Sequence, residues 1–143
     1  MSTRAVYTFT DEVRLHPSNG AGHHVYKHHD GYPSGGLEWI ANARAVAWPL
    51  PRFEADEFAA AFVAANKTES GDVRLSVGIS SRQIASDAEY WYVVTALDGE
   101  IHVTIHECDW WGDTPSEKEI FSGTLDAAIA KYGLVSRMVA ATA

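Results

Sequence analysis

One cysteine, Cys108, stands among 143 residues. An internal disulfide is excluded, and a reducing cytoplasm is the expected setting. Basic residues are scarce: 11 Lys and Arg face 19 Asp and Glu, for a net charge of −8. Nucleic-acid binders carry a basic footprint, so direct contact with DNA or RNA is not expected. The acidity reads either as ordinary solubility or as an acidic face that docks on a basic, nucleic-acid-handling partner. No apolar run approaches the roughly 20 residues that span a bilayer, so no membrane association is expected. The first residues lack a charged head followed by an apolar run, so no secretory signal is expected either. Internal repeats and low-complexity segments are absent.

What is present is core material. Hydrophobic residues make up 46% of the chain, with five Trp, six Tyr and five Phe, enough for one α+β domain over residues 1–143. Arg4 to Thr10 alternates with strand period, and residues 11–22 read as a loop rich in Gly, Asn and Pro. His23 to His29 reads as a second strand, broken by Asp30-Gly31 and Pro33. Ser34 is the expected cap of a helix carrying Leu37, Ile40, Ala41, Arg44 and Trp48, closed by the Trp48-Pro49-Leu50-Pro51 segment. A second helix is predicted over 54–66. Glu54, Asp56 and Glu57 favour its first turn, and Phe58, Phe62 and Ala65 mark its buried stripe. Val73, Leu75, Val77 and Ile79 alternate as a half-buried strand, followed by a loop over 81–88.

The clearest local signal is Asp98-Gly99 between two β-rich runs, 90–97 and 100–107. Asp-Gly favours a two-residue type I′ hairpin turn, which sets Leu97 opposite Glu100. Tyr92, Val94, Ala96, Ile101, Val103 and Ile105 then share the core face. Trp91, Val93, Thr95, His102, Thr104 and His106 share the other, which is either solvent-facing or a site wall. Residues 118–124 read as a further strand, and 125–132 as a short helix stopped by Gly133. The predicted fold is α+β: a mostly antiparallel sheet with two to three helices packed on it.

Four chemistries are candidates. His28 and Asp30 face the same way on an extended chain. With His102 they could surround a metal ion, and with His106 a hydrolytic centre, if their strands are neighbours. No close-spaced ligand motif supports this, and His102 and His106 lie about 13 Å apart along a strand. A histidine phosphoesterase needs two facing His-x-Thr/Ser motifs. His102-Val103-Thr104 is one, but His16-Pro17-Ser18 sits in a loop. An N-terminal nucleophile at Ser2 or Thr3 would require loss of Met1. Cys108 beside His106 lacks a third, orienting group. No cofactor is expected.

A binding surface is the other candidate. Tyr26, Tyr32, Trp91, Trp110 and Trp111 lie near polar positions, and Trp and Tyr dominate interface hot spots. Asp109 and Asp113 flank Trp110 and Trp111 in a predicted loop. An exposed Trp there would be an anchor, whereas a buried one would be core.

The opening Ser2-Thr3-Arg4-Ala5, followed by Val25-Tyr26-Lys27-His28-His29-Asp30-Gly31-Tyr32-Pro33-Ser34, resembles a family of small hypothetical proteins of phages, prophages and bacteria. Its members begin Met-x-Thr-Arg and carry a Tyr-x-His-x-Asp-Gly-Tyr-Pro-like strand and turn leading into a helix. The position of His29 is often Trp in them. The resemblance reaches into the first predicted helix and no further. It carries no assigned activity and transfers no catalytic residue. It implies a phage or mobile-element setting and pairing of the first two strands. A structural reading of the motif is that Asp30-Gly31 turns the chain, Pro33 and Ser34 start the helix, and Arg4 pairs with Asp30.

In that setting, small acidic proteins bind host machinery stoichiometrically, and counter-defence proteins, anti-CRISPR proteins among them, are such a class. The expected partner is a host protein or nucleoprotein complex whose basic surface attracts the acidic and aromatic residues near Asp109–Asp113 and Tyr26–Tyr32. A metal-assisted or hydrolytic enzyme is the alternative. A self-associating virion component or homodimer is a third.

Overall fold

Asp98 and Gly99 both take positive φ, 54° and 78°, the type I′ geometry that matches the twist of the strands it joins. The computed structural model describes residues 3–11, 22–68, 71–77, 87–111 and 113–135. In chain order its elements are β1 (Ala5–Phe9), β2 (His23–Lys27), α1 (Pro33–Val46), α2 (Ala55–Asn66), β3 (Val73–Val77), β4 (Tyr90–Leu97), β5 (Glu100–Asp109), β6 (Ser116–Thr124) and α3 (Leu125–Tyr132). The six strands form one sheet in the order β3-β2-β1-β4-β5-β6. Neighbours are antiparallel except β1 and β4, which run parallel with Ala5 opposite Tyr90. The architecture is the predicted α+β one, and among the described residues three helices pack on a mostly antiparallel sheet. Leu97 pairs with Glu100 as the turn requires. Ile79, His16-Pro17-Ser18, Ser2 and most of the two predicted loops over 11–22 and 81–88 lie outside the described residues.

One face of the sheet carries the main core. Tyr7, Phe9, Val25, Tyr92, Val94, Ile101, Val103 and Ile105 are buried there against Leu37 and Ile40 of α1, Phe58 and Phe62 of α2, and Leu125 and Ala128 of α3. Tyr7 stacks on Tyr92 with ring centroids 4.8 Å apart, and Phe62 approaches Tyr7 at 4.5 Å. In α3, Thr124 caps the N-terminus by accepting from Ala127 N at 3.1 Å, and Gly133 ends the helix at φ 75°. Arg44 of α1 reaches Asp126 of α3 at 2.9 Å.

The segment between β2 and α1 is built by close approach. Asp30 takes φ 58°, a left-handed conformation that Asp tolerates better than most residues. Gly31 N donates to Thr3 O, and a Cβ at Gly31 would stand 2.7 Å from Ala5 Cβ. The buried Tyr92 hydroxyl donates to Gly31 O, and a Cβ at Gly36 would lie 2.3 Å from that hydroxyl. Trp39 Nε1 donates to His29 O at 3.1 Å.

Several local expectations are corrected. Ser34 does not cap α1. Pro33 occupies the first turn, and Tyr32 is the N-cap without a side-chain hydrogen bond, because the fixed φ of Pro suits the first helical position. The helix ends at Val46, short of Trp48, which precedes Pro49 and so disfavours helical backbone. Arg4 pairs with Asp87 at 3.2 Å, not with Asp30. Leu75 is 56% exposed because β3 is an edge strand. Ala65 is only half-buried, and Asn66 is buried instead, donating to Trp39 O at 2.8 Å.

Lys27 is a finding that strand propensity does not announce. Its ammonium is buried on the helix face, 4.2 Å from the Trp39 ring centroid and 3.1 Å from Asp72 Oδ2. Both side chains are about 1% exposed. Burial by itself pushes the Asp72 carboxyl up. Hydrogen bonds from Lys27 and Thr68 together with the Lys27 charge outweigh it and hold the group below its ordinary value.

Two expected outcomes follow from this packing. Gly71→Ala, where a Cβ meets nothing within 4 Å, costs only the ~1–2 kcal/mol of its left-handed backbone, whereas Gly36→Ala forces Tyr92 from its seat and costs about 1–3 kcal/mol more than that in urea unfolding. An equal loss at both sites would refute the Tyr92 contact. Lys27→Met strands a buried carboxylate and costs about 3–5 kcal/mol, most of which the double variant Lys27→Met/Asp72→Leu restores. Because the folded pKa of Asp72 is depressed, the stability it adds is present above its unfolded value and lost as pH falls through the folded one. The double variant loses that acid dependence.

Candidate functional site

The second face of the sheet carries the residues singled out for chemistry. Register aligns them in rows across the strands: Tyr26, Val6, Trp91 and His106 in one, and His24, Thr8, Val93 and Thr104 in the next. Val6, Tyr26, Ala88, Trp91 and Trp110 form a second buried cluster. This face is therefore neither an open wall nor a solvated one at its centre. Trp91 is 2% exposed and Thr95 4%. Trp91 Nε1 donates to Thr8 Oγ1 at 2.9 Å, and Thr8 Oγ1 lies 2.9 Å from His24 Nδ1. The His106 ring stacks on Trp91 at 4.5 Å, with Nδ1 3.2 Å from Trp91 O.

The proposed His28, Asp30, His102 and His106 centre does not assemble. Strands β1 and β4 separate β2 from β5, which sets His28 and the β5 histidines about 14 Å apart across three strand spacings. Among the described residues no group of three His, Cys, Asp or Glu could hold a metal ion. Asp30 instead serves the turn and accepts from the Tyr32 hydroxyl at 3.3 Å. Cys108 and His106 share a strand face, and the thiol donates to His106 O at 4.0 Å. The His102-Val103-Thr104 strand lies in place on β5, and its required partner His16-Pro17-Ser18 is outside the described residues.

The binding candidates separate by burial. Tyr26 and Trp110 are 2% and 4% exposed and belong to the core, and Tyr32 is half-buried. Trp111, in contrast, is 70% exposed. It borders a cleft of about 240 Å³ lined by Asp87, Ala88, Glu89, Cys108, Asp109, Trp110 and Trp111. Trp110 Nε1 donates to Glu117 Oε2 at 2.8 Å, fixing the buried indole beneath its exposed neighbour. Asp109 ends β5 as a strand residue and not in a loop, and Asp113 is exposed outside the cleft lining. Cys108 N donates to Glu89 O at 2.9 Å, tying the two walls of the cleft together. Asp87 and Glu89 are cleft residues that sequence spacing missed, since only the pairing of Tyr90 with Glu107 brings them beside the end of β5.

His28 sits apart from this cleft, beyond the end of β2. Its Nδ1 lies 2.5 Å from the Tyr26 hydroxyl. Burial first, then the neighbouring His29, Arg4 and Arg74, push its pKa below the ordinary imidazole value, with Asp87 opposing. Burial likewise raises the phenols of Tyr92 and Tyr90, the first well above its ordinary value.

No family model, curated protein sequence or solved structure matches this chain. No described helix is long and apolar enough to cross a membrane.

The Trp91–Thr8–His24 chain makes a prediction. Thr8→Val removes the acceptor of a buried indole N–H and costs about 1–3 kcal/mol, whereas Thr8→Ser keeps the hydroxyl and most of the stability. Equal urea midpoints for Thr8→Val and the wild type would show that the chain contributes nothing.

Proposed function

We propose that the chain is a stoichiometric binding protein of phage or mobile-element type, which docks on a basic surface of a host protein or nucleoprotein complex and blocks it, as a counter-defence inhibitor does. The observation that carries this reading is Trp111, 70% exposed at the rim of a cleft whose walls include Asp87, Glu89 and Asp109. A large indole left in water is the residue type that gains most on being covered by a partner. Carboxylates around it favour a cationic partner, speed encounter and disfavour acidic surfaces. The net charge of −8 extends the same field over the molecule. The resemblance of Thr3-Arg4 and Tyr26–Ser34 to small phage and prophage proteins supplies the setting, and the host partner follows from it.

The test is capture from nuclease-treated host lysate with tagged wild type, Trp111→Ala and Asp109→Lys, followed by affinity measurement on the recovered complex. Wild type is expected to retain one complex in fixed stoichiometry. Trp111→Ala should weaken it by about 2 kcal/mol, more than tenfold in Kd, without changing the thermal midpoint. Asp109→Lys should slow association and flatten its salt dependence. Recovery of the bait alone, or equal affinity for all three proteins, would sink the proposal.

A further inference from the structure

In a chain with net charge −8, one corner of the second sheet face collects positive groups. Ala5 pairs with Lys27, so the next position outward sets Arg4 beside His28. Tyr26 pairs with Arg74 across β2 and β3. Strand alternation turns Arg4, Tyr26, His28 and Arg74 to one face. The Arg74 guanidinium lies 4.4 Å from the Tyr26 ring centroid, and the Tyr26 hydroxyl meets His28 Nδ1 at 2.5 Å. The His29 ring stands edge-on to His28 at 4.6 Å. The charged groups that act on His28 are His29 beside it, Arg4 from the start of β1, Arg74 from β3, and Asp87 from the segment before β4. Asp87 is the acidic member, and Arg4 engages it through Nε.

We propose that this corner binds the phosphate group of a small phosphate monoester, gripped between the Arg4 and Arg74 guanidinium groups with His28 as a further donor. Guanidinium forks match phosphate oxygens, and two of them can engage one group bidentately. The cation–π contact with Tyr26 holds the Arg74 guanidinium in place before a ligand arrives. Strands β1 and β3 flank β2, and the two-residue stagger between Arg4, opposite His28, and Arg74, opposite Tyr26, places the two arginine backbones about 12 Å apart, a gap that two long side chains span around one phosphate. Asp87 offsets part of the repulsion among these like charges, and an anion held between the two guanidinium groups relieves the rest. The Tyr26 hydroxyl occupies Nδ1, which leaves Nε2 as the ring nitrogen that turns to a ligand, and the imidazolium favoured by a nearby anion donates from it. The ligand is small because polyanion binding grows with the number of phosphates neutralised, and a handful of cations cannot offset the repulsion of the remaining surface. The site is separate from the Trp111 cleft, although Asp87 borders both.

The test is an NMR titration of the His28 ring signals with inorganic phosphate, phenyl phosphate and a short DNA duplex at fixed ionic strength. Phenyl phosphate is expected to produce a saturable shift and to raise the apparent His28 pKa. Exposed Arg74, replaced in Arg74→Gln, should weaken that binding about tenfold or more, and Arg4→Gln should do likewise. Trp111→Ala should leave it unchanged, which separates this site from the docking proposal. A shift no larger than chloride gives, or unchanged affinity in Arg74→Gln, would overturn the site. Saturation by inorganic phosphate without binding of phenyl phosphate would overturn the monoester assignment in favour of the free ion. Tighter binding of the duplex would overturn it in favour of a nucleic-acid backbone.

Discussion

The Tyr92 hydroxyl is the point at which sheet, turn and helix meet. Tyr92 lies in the centre of the sheet, stacked on Tyr7, and is fully buried. A phenol in that position requires a hydrogen-bond partner, and the acceptor is Gly31 O. Bringing that carbonyl to the sheet requires the chain to fold tightly between Asp30 and Gly36, with no side chain at Gly31 or Gly36 to hold it off. Helix α1 then starts directly above Tyr92, and Trp39 returns a hydrogen bond to His29 O. The Asp-Gly-Tyr-Pro segment is thus accounted for by packing. Its histidines were the obvious candidates for chemistry, but His29 contributes its backbone carbonyl to this joint and His28 faces the opposite side of the sheet.

The Lys27–Asp72 pair solves a different problem. Strand β3 is five residues long, lies at the sheet edge and leaves Leu75 largely in water. Apolar contact alone specifies the register of such a strand weakly, and a slip of one residue would reverse its faces. A buried ammonium that meets a buried carboxylate disfavours any register that separates the two. His28 N donating to Asp72 O adds a second constraint beside it. Buried ion pairs contribute modestly to stability once their desolvation is counted, whereas removing one partner strands the other charge at much greater cost.

Local sequence signals were legible where structure is local. Asp98-Gly99 defined the hairpin, its register and both of its faces, because a type I′ turn leaves no freedom in pairing. Gly133 stopped the last helix for the same kind of reason. Lys27 carried a signal in the alternation of His23–His29, since a residue two positions from Val25 must share its core face. Its partner, however, lay beyond two helices. The strand order was not written in any local pattern. The candidate centre of His28, Asp30, His102 and His106 presupposed that β2 and β5 are neighbours, and two intervening strands separate them. The same non-local pairing placed Asp87 and Glu89 beside Asp109 and Trp111, a cleft that no spacing rule could have assembled.

The parallel union of β1 and β4 has a consequence for the order of events during synthesis. An antiparallel hairpin such as β4–β5 closes as soon as both arms exist, but β1 waits for a strand made after α1, α2 and β3. Until then Tyr7 and Phe9 sit on a strand pair whose inner edge has no partner. Topologies dominated by such distant pairings fold slowly and expose unpaired edges while they do so. The parallel neighbour of β1 therefore becomes available only once the chain has been made through Tyr90–Leu97, long after β2 can pair with its other edge.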